Sequence, residues 1–214
     1  MRFKRSALLL AAAAAAIVLA FPARSPAATF EILGFGTYIN PHANNRYGDA
    51  RLDVGSKTGF GGGINIGWTR QISTEVTVSD TRPSTKARVG TAPSADFGQM
   101  RMVPITGTLQ FHFLPGTRFD PYVGAGAARV LFRDLRSATL AGIGVDRIQL
   151  RDKNTFLANA GLTLGLTDRF GVFVDAKYLP LKTSAVALSG TTAIDRLDLR
   201  VNPFLFSTGL RLRF

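Results

Sequence analysis

The sequence contains no cysteine, one tryptophan and only two histidines, His42 and His112. The absence of cysteine excludes disulfide bonds, thiolate zinc sites and a cysteine nucleophile. Two histidines leave little material for a histidine-rich metal site, and we expect no cofactor. Long apolar runs are also scarce. After residue 27, none approaches the roughly 18 residues that indicate a membrane-spanning helix.

Residues 1–27 are typical of a secretory signal peptide. Arg2, Lys4 and Arg5 precede an apolar stretch from Ala7 to Phe21, and small residues follow it. A membrane anchor is the competing interpretation, but the stretch is shorter than the about 20 residues that a spanning helix needs.

We expect signal cleavage after Ala27, with Ala28 as the alternative, which leaves a single domain over residues 28–214. The segment contains four basic residues and no acid, so its removal would lower the formal net charge from +12 to +8.

Period-two alternation of apolar and polar residues predicts β-strands in the rest of the chain. Phe60, Ile64 and Trp68 share one face of a run in which glycines and Asn65 share the other. The strongest runs are 60–69, 102–113, 155–167 and 204–214. Weaker runs are 29–38, 74–81, 121–133 and 170–182. Together they predict eight strands.

The connections between these strands alternate in length. Short turns are predicted at 70–73, 114–120 and 167–170, and long loops at about 39–58, 82–100, 134–152 and 183–198. This alternation is typical of an outer-membrane barrel with short periplasmic turns and long extracellular loops. In lipid, a closed sheet gives every backbone polar group a partner. We therefore predict an all-β, eight-stranded antiparallel up-and-down transmembrane β-barrel with both termini in the periplasm.

The chain ends in Phe214, on the predicted lipid face of the last strand. Aromatic girdles lie at the rims of such barrels. A terminal aromatic residue after alternating apolar positions resembles the signal that the barrel-assembly machinery recognises. We therefore expect Phe214 to be an assembly signal and the assembly machinery to be a partner.

Three stretches resemble the OmpW family of eight-stranded outer-membrane barrels. They are Asp120-Pro121-Tyr122-Val123-Gly124-Ala125-Gly126, Asn202-Pro203-Phe204-Leu205-Phe206 on to Phe214, and Val103-Pro104 followed by Gln110-Phe111-His112-Phe113. The resemblance covers essentially all of the chain after the signal peptide. It departs from the family in the first strand and at Lys177 and Leu179. It implies a narrow, largely hydrophobic channel for small apolar molecules, and some members of the family serve as bacteriocin receptors.

The resemblance also predicts apolar side chains at inward positions. The lumen-lining candidates are Leu33, Phe35, Val123, Arg129, Leu131, Leu157, Phe173, Asp175, Lys177 and Leu205. Since buried charges need partners, we expect Asp175 and Lys177 to form a network with Arg129. Two interpretations remain open: a hydrophobic channel with polar constrictions, or a lumen filled by packed side chains.

Most Lys and Arg residues beyond the signal peptide, from Arg46 to Arg200, lie in or beside the long loops. Anionic lipopolysaccharide phosphates and outer-membrane lipid are their expected partners. Nucleic acid is not expected, because the chain is exported and its basic residues lack interleaved aromatic platforms.

An enzyme is not expected either. A nucleophile needs a base beside it, and no serine stands two residues from His112 on its face of the strand. His42 lies in a long loop. The sequence therefore predicts passive passage or binding of small hydrophobic molecules through a narrow lumen. The alternative is a non-conducting surface barrel whose loops serve adhesion, receptor or stress-protection roles.

Overall fold

The computed structural model describes residues 29–42, 45–47, 50–82, 84–89, 95–99, 101–133, 147–150, 152–189 and 192–214. The predicted signal peptide lies outside these ranges. The described part of the chain contains no helix, and so no helix that could cross a membrane.

Eight strands build the barrel. They are β1 Thr29–His42, β2 Lys57–Gly67, β3 Ile72–Thr81, β4 Met102–His112, β5 Phe119–Phe132, β6 Lys153–Gly165, β7 Phe170–Tyr178 and β8 Thr192–Arg213. Each pairs antiparallel with the next, and β8 pairs antiparallel with β1, from Glu31 opposite Arg213 to His42 opposite Asn202. The predicted closed, eight-stranded antiparallel barrel is confirmed.

The two ends of the barrel differ. Residues 68–71, 113–118 and 166–169 form short turns at one end, where Phe214 N also donates to Phe30 O at 2.9 Å. Two of these turns have the same hydrogen-bond pattern. The Thr69 and Thr167 hydroxyls each accept hydrogen bonds from the backbone amides two and three residues later in the chain. Such local bonds set tight turns. This end is called the short-turn end below.

The opposite, long-loop end extends beyond the barrel. Strands 45–47, 50–54, 84–89 and 95–99 pair into a separate four-stranded sheet. Strand Leu181–Ser189 pairs with Arg147–Leu150 and with the outer part of β8. The described parts of the long loops therefore form β-hairpins, except for Arg147–Leu150, which pairs with a strand that is distant in the chain.

Side chains alternate between an apolar outer wall and a packed interior. On β1, Ile32 is 45% exposed whereas Leu33 is 2% exposed. The rings of Phe60 and Phe156 project outward, each 82% exposed. An apolar outer wall around a closed sheet is the arrangement that a bilayer requires.

Candidate functional site in the barrel lumen

Five charged side chains meet across the lumen. Lys177 Nζ donates to Glu75 Oε1 at 3.1 Å and to Asp175 Oδ1, while Arg211 donates to Glu31 Oε2 at 3.1 Å and to Glu75 Oε2 at 3.2 Å. All five are at most 4% exposed. These residues, called the charged cluster, join β1, β3, β7 and β8 from opposite sides of the barrel.

Neutral donors from three further strands complete the charged cluster. Asn65 Nδ2 on β2 donates to Glu31 Oε2 at 3.0 Å, and on β5 and β6 Tyr122 Oη and Asn159 Nδ2 donate to Asp175 Oδ2 at 3.2 and 2.9 Å. Buried carboxylates need such donors, because an unsatisfied buried charge is costly. A molecule that moved along the barrel axis would have to separate these contacts.

Apolar side chains fill the interior at the long-loop end. They are Ile39, Met102, Val130, Phe132, Leu179 and Leu181, each at most 9% exposed. We call them the mouth cluster. Nearer the charged cluster, the rings of Phe35 and Phe173 pack edge to face, with centroids 6.0 Å apart. The interior therefore changes from apolar at the long-loop end to ionic towards the short-turn end.

Two inward glycines make room for aromatic rings. A Cβ at Gly61 would overlap the Phe35 ring, and a Cβ at Gly161 would overlap the Tyr122 phenol. Both would also press on backbone carbonyls of the neighbouring strands. Crowding inside a narrow barrel therefore accounts for these two glycines.

The structure places most of the predicted lumen residues on the inner wall. Leu33, Leu157, Phe173, Asp175, Lys177 and Leu205 are buried there, and Phe35 is half-buried. Glu31, Glu75 and Arg211 also lie inside, although the sequence analysis did not single them out. For Glu75 and Arg211 a signal was available, because each is a charged residue on the polar face of an alternating run. Glu31 shares its face with apolar Leu33 and Ile39, so alternation did not mark it.

The prediction for β5 is wrong. Val123, Arg129 and Leu131 lie on the outer wall, and Val123 is 44% exposed, whereas Tyr122 and Val130 are 1% and 0% exposed. Both faces of β5 contain small and apolar residues, so alternation alone did not identify the inner face. Pairing decides it, because Tyr122 lies opposite the inward His112.

Arg129 consequently takes no part in the charged cluster. It lies opposite Ile105 on the outer wall, towards the long-loop end. A long arginine side chain there can extend to the membrane surface while its stem stays in apolar surroundings. The arginine of the charged cluster is instead Arg211 on β8, which donates to Glu31 and Glu75.

The seam between β3 and β4 is interrupted near the mouth cluster. The register runs from Ile72 opposite Phe111 to Val78 opposite Ile105, and then resumes only at Thr81 opposite Met102. His112 N donates to Gln71 O across this seam. In an antiparallel pair such hydrogen bonds recur at every second residue. Four repeats further along both strands, the backbone nitrogen of residue 104 therefore lies opposite the Ser79 carbonyl.

Position 104 is a proline, which has no N–H to donate. The sequence itself therefore removes a backbone hydrogen bond from the seam where the long-loop half of the lumen begins. Beyond the break, Arg101 Nε donates to Asp80 Oδ1 at 3.0 Å and ties the two strands together again.

Two polar cavities open at the short-turn end, with volumes of about 330 and 490 Å³. Both are bounded by Glu31, Asp120, Thr163, Arg211 and Arg213. Three buried polar atoms of these lining residues, Asp120 Oδ1, Thr163 Oγ1 and Arg211 Nε, make no hydrogen bond with the described residues. Among those residues, no group of three or more His, Cys, Asp or Glu side chains could hold a metal ion.

Known proteins share this architecture. The sequence model of the OmpW family matches residues 37–214. Outer membrane protein AlkL of Ectopseudomonas oleovorans is 29% identical over 121 residues, which are 56% of this chain and 48% of AlkL. The chain thus matches about half the length of this curated relative.

Two solved structures show the same fold. The crystal structure of OprG from Pseudomonas aeruginosa has a TM-score of 0.77 at 17% identity, covering 88% of this chain and 96% of that one. The solid-state NMR structure of AlkL in DMPC lipid bilayers has a TM-score of 0.65 at 22% identity, covering 91% and 95%. At these identities the likeness concerns the fold alone.

Proposed function

Because the chain belongs to the OmpW family of outer-membrane barrels, we propose that it admits small hydrophobic molecules at the long-loop end and releases them sideways into the membrane. The observation that carries this proposal is the interrupted β3–β4 seam at Pro104, beside the mouth cluster and short of the charged cluster.

In this proposal the short-turn end and both termini face the periplasm, and the long loops face outward. Outer-membrane barrels have short periplasmic turns and longer extracellular loops. The pattern of the described turns and hairpins supports that orientation.

The mouth cluster supports a hydrophobic substrate. When a small apolar molecule moves from water to a place between these side chains, its free energy falls by about 25 cal/mol per Å² of apolar surface buried. Ile39, Met102 and Leu179 are each at most 1% exposed, so the bound molecule must displace them from one another. Methionine is suited to such repacking because its side chain is flexible.

The charged cluster supports a sideways exit. An apolar molecule could pass further along the axis only by separating buried ion pairs, and breaking one buried pair costs about 3–5 kcal/mol. The seam at Pro104 offers an exit that breaks no ion pair of this cluster. Val78, at the edge of the interruption, is 48% exposed on the outer wall and would meet lipid.

Two partners belong to this proposal. Arg129 on the outer wall and the basic residues of the long loops would bind lipopolysaccharide phosphates by charge-assisted hydrogen bonds. Phe214, 68% exposed at the short-turn end, would be recognised by the barrel-assembly machinery.

Uptake of Nile red by intact cells tests the proposal. Lipopolysaccharide slows the entry of this hydrophobic dye, so cells that make the barrel should take it up several-fold faster than cells that lack it. Pro104→Ala supplies the missing N–H opposite Ser79 and should return the rate close to that of cells without the barrel.

Pro121→Ala is the matched control, because Pro121 lies in β5 at the short-turn end, away from the seam. It should leave the uptake rate unchanged. Equal uptake with and without the wild-type barrel would overturn the proposal, and equal loss in both proline variants would overturn the assignment of the exit.

Closure of the lumen by the charged cluster also favours a second candidate function, in which the hairpins at the long-loop end serve adhesion, receptor or stress-protection roles. This candidate predicts that Nile red uptake does not depend on the barrel. It also predicts that shortening the strands 45–47, 50–54, 84–89 and 95–99 abolishes the adhesion, receptor or protective activity while the barrel still folds.

A further inference from the structure

Ser73, His112 and Asp120 come together at the short-turn end from β3, β4 and β5. Ser73 Oγ lies 2.9 Å from His112 Nε2, and His112 Nδ1 lies 2.7 Å from Asp120 Oδ2. Ser73 is 2% exposed and His112 is 7% exposed. The order hydroxyl, imidazole and carboxylate is the one that activates a serine nucleophile.

The hydrogen bonds fix the role of each group. The catalytic tautomer is the one in which His112 Nδ1–H donates to Asp120 and Nε2 is left as an acceptor, and the contact at Nδ1 suits that tautomer. The Ser73 hydroxyl has a second acceptor in Gln110 Oε1, but at 3.4 Å this oxygen is farther away than His112 Nε2. In that tautomer, His112 Nε2 is the nearer of the two acceptors for the hydroxyl proton.

The nucleophile lies on the strand next to His112, so spacing along β4 does not reveal it. Ser73 pairs with Gln110, two residues from His112, and one diagonal step across the sheet joins the two side chains. The Tyr122 ring packs against the imidazole with centroids 5.4 Å apart, which holds His112 in place.

The three residues face space that a small molecule can enter. All three line the cavity of about 490 Å³, which falls in the size range of ligand pockets, roughly 300–1,000 Å³. Most of its lining is polar, including Thr29, Asn65 and Arg70. Arg211, 3% exposed, lines the same cavity and has an unused Nε–H.

We propose that Ser73, His112 and Asp120 form a hydrolytic site for short, polar carboxylic esters that enter from the short-turn end. This activity is independent of the uptake route, which uses the opposite end of the lumen. The charged cluster separates the two regions.

Each step conserves atoms and charge. Ser73 Oγ attacks the carbonyl carbon while its proton passes to His112 Nε2. The ester C–O bond then breaks, and His112 returns the proton to the leaving alkoxide, which departs as an alcohol. Water repeats the sequence on the acyl-serine, releasing the carboxylic acid and restoring Ser73. Asp120 acts as a positioning residue that keeps the imidazole in the required tautomer.

Covalent labelling of the refolded barrel with a fluorophosphonate probe tests the proposal. Mass spectrometry should locate the adduct on Ser73, and Ser73→Ala should abolish both labelling and hydrolysis of p-nitrophenyl acetate. Ser79→Ala is the matched control: Ser79 is another buried, inward serine on β3, and its replacement should leave both signals intact. His112→Gln should slow labelling by about 100-fold or more.

The role of Asp120 has its own readout. Asp120→Asn should slow labelling, whereas Asp120→Glu should restore part of the rate, which a purely structural role would not produce. A folded wild-type barrel with no adduct on Ser73 would overturn the proposal even if every variant misfolds. Nile red uptake by Ser73→Ala cells should be normal, so failure of this site and failure of the uptake proposal are distinguishable.

Discussion

Lys177 is the residue on which the charged cluster depends most directly. Its ammonium group bridges Asp175 on its own strand and Glu75 on the opposite side of the lumen. Arg211 forms ion pairs with Glu31 and Glu75, so Lys177 and Arg211 share the Glu75 carboxylate. Removal of either cation leaves buried carboxylates with fewer positively charged partners.

We predict that Lys177→Met destabilises the barrel by about 3–5 kcal/mol, because one partner of a buried ion pair is lost while the other remains. Urea unfolding of the barrel refolded in vesicles measures the change. Lys57→Met, at the exposed start of β2, is the control and should change stability by no more than about 0.5 kcal/mol. Similar losses in both variants would contradict a special role for the charged cluster.

At the scale of elements, the strands differ in how clearly their own sequence indicates the inner face. On β4 and β6, one face is aliphatic and aromatic and the other holds Thr, Gln, Asn and His. On β5 neither face is distinct, and the charged Arg129 lies on the outer wall. Only the pairing of β5 with β4 and β6 fixes its orientation, because cross-strand partners share a face.

The last strand carries a second prediction. Phe214→Ser should lower the amount of barrel assembled in the outer membrane, since we propose that the terminal ring is recognised during assembly. Refolding of the purified variant in detergent should change little, because the ring contacts Phe30 only at an exposed rim, with centroids 6.1 Å apart. Heat-modifiable migration on gels measures both.

Phe170→Ser is the control for that experiment. Phe170 is also an exposed aromatic residue at the short-turn end, 51% exposed, but it begins β7. It should assemble like the wild type. Equal assembly defects in the two variants would mean that rim aromatics act through lipid contact, not as a terminal signal.

At the scale of the whole molecule, the barrel has three chemically different regions. Its outer wall is apolar, its long-loop half encloses apolar side chains, and its short-turn half encloses ions and open polar cavities. A bilayer around the wall accounts for the first of these, because a closed sheet leaves no strand edge in the lipid.

The single tryptophan allows a direct test of this placement. Trp68 follows β2 at the short-turn end and is 37% exposed on the outer wall, so we predict stronger quenching by lipids brominated near the headgroup than by those brominated deep in the chain. Val76→Trp in a Trp68→Phe background places the reporter mid-wall and should reverse the order. Quenching by aqueous iodide but not by brominated lipid would contradict a lipid-facing wall.

Sequence alone determined the number of strands, the alternation of short and long connections, and the inner face of most strands. These properties are local: successive side chains leave opposite faces of a strand, and lipid outside selects one face for apolar residues. An inward polar position such as Asn65 could therefore be predicted without knowledge of its neighbours, whereas the apolar Leu33 and Phe173 were expected inside because of the family resemblance.

Only the tertiary structure decided which inward groups meet. Lys177 and Glu75 are 102 residues apart in the sequence, and Ser73 and His112 are 39 apart. Their contacts exist because the sheet closes on itself in one register, and closure brings opposite walls of a narrow lumen within reach of a single side chain. The ion pairs across the lumen and the approach of Ser73, His112 and Asp120 to one another all follow from that register.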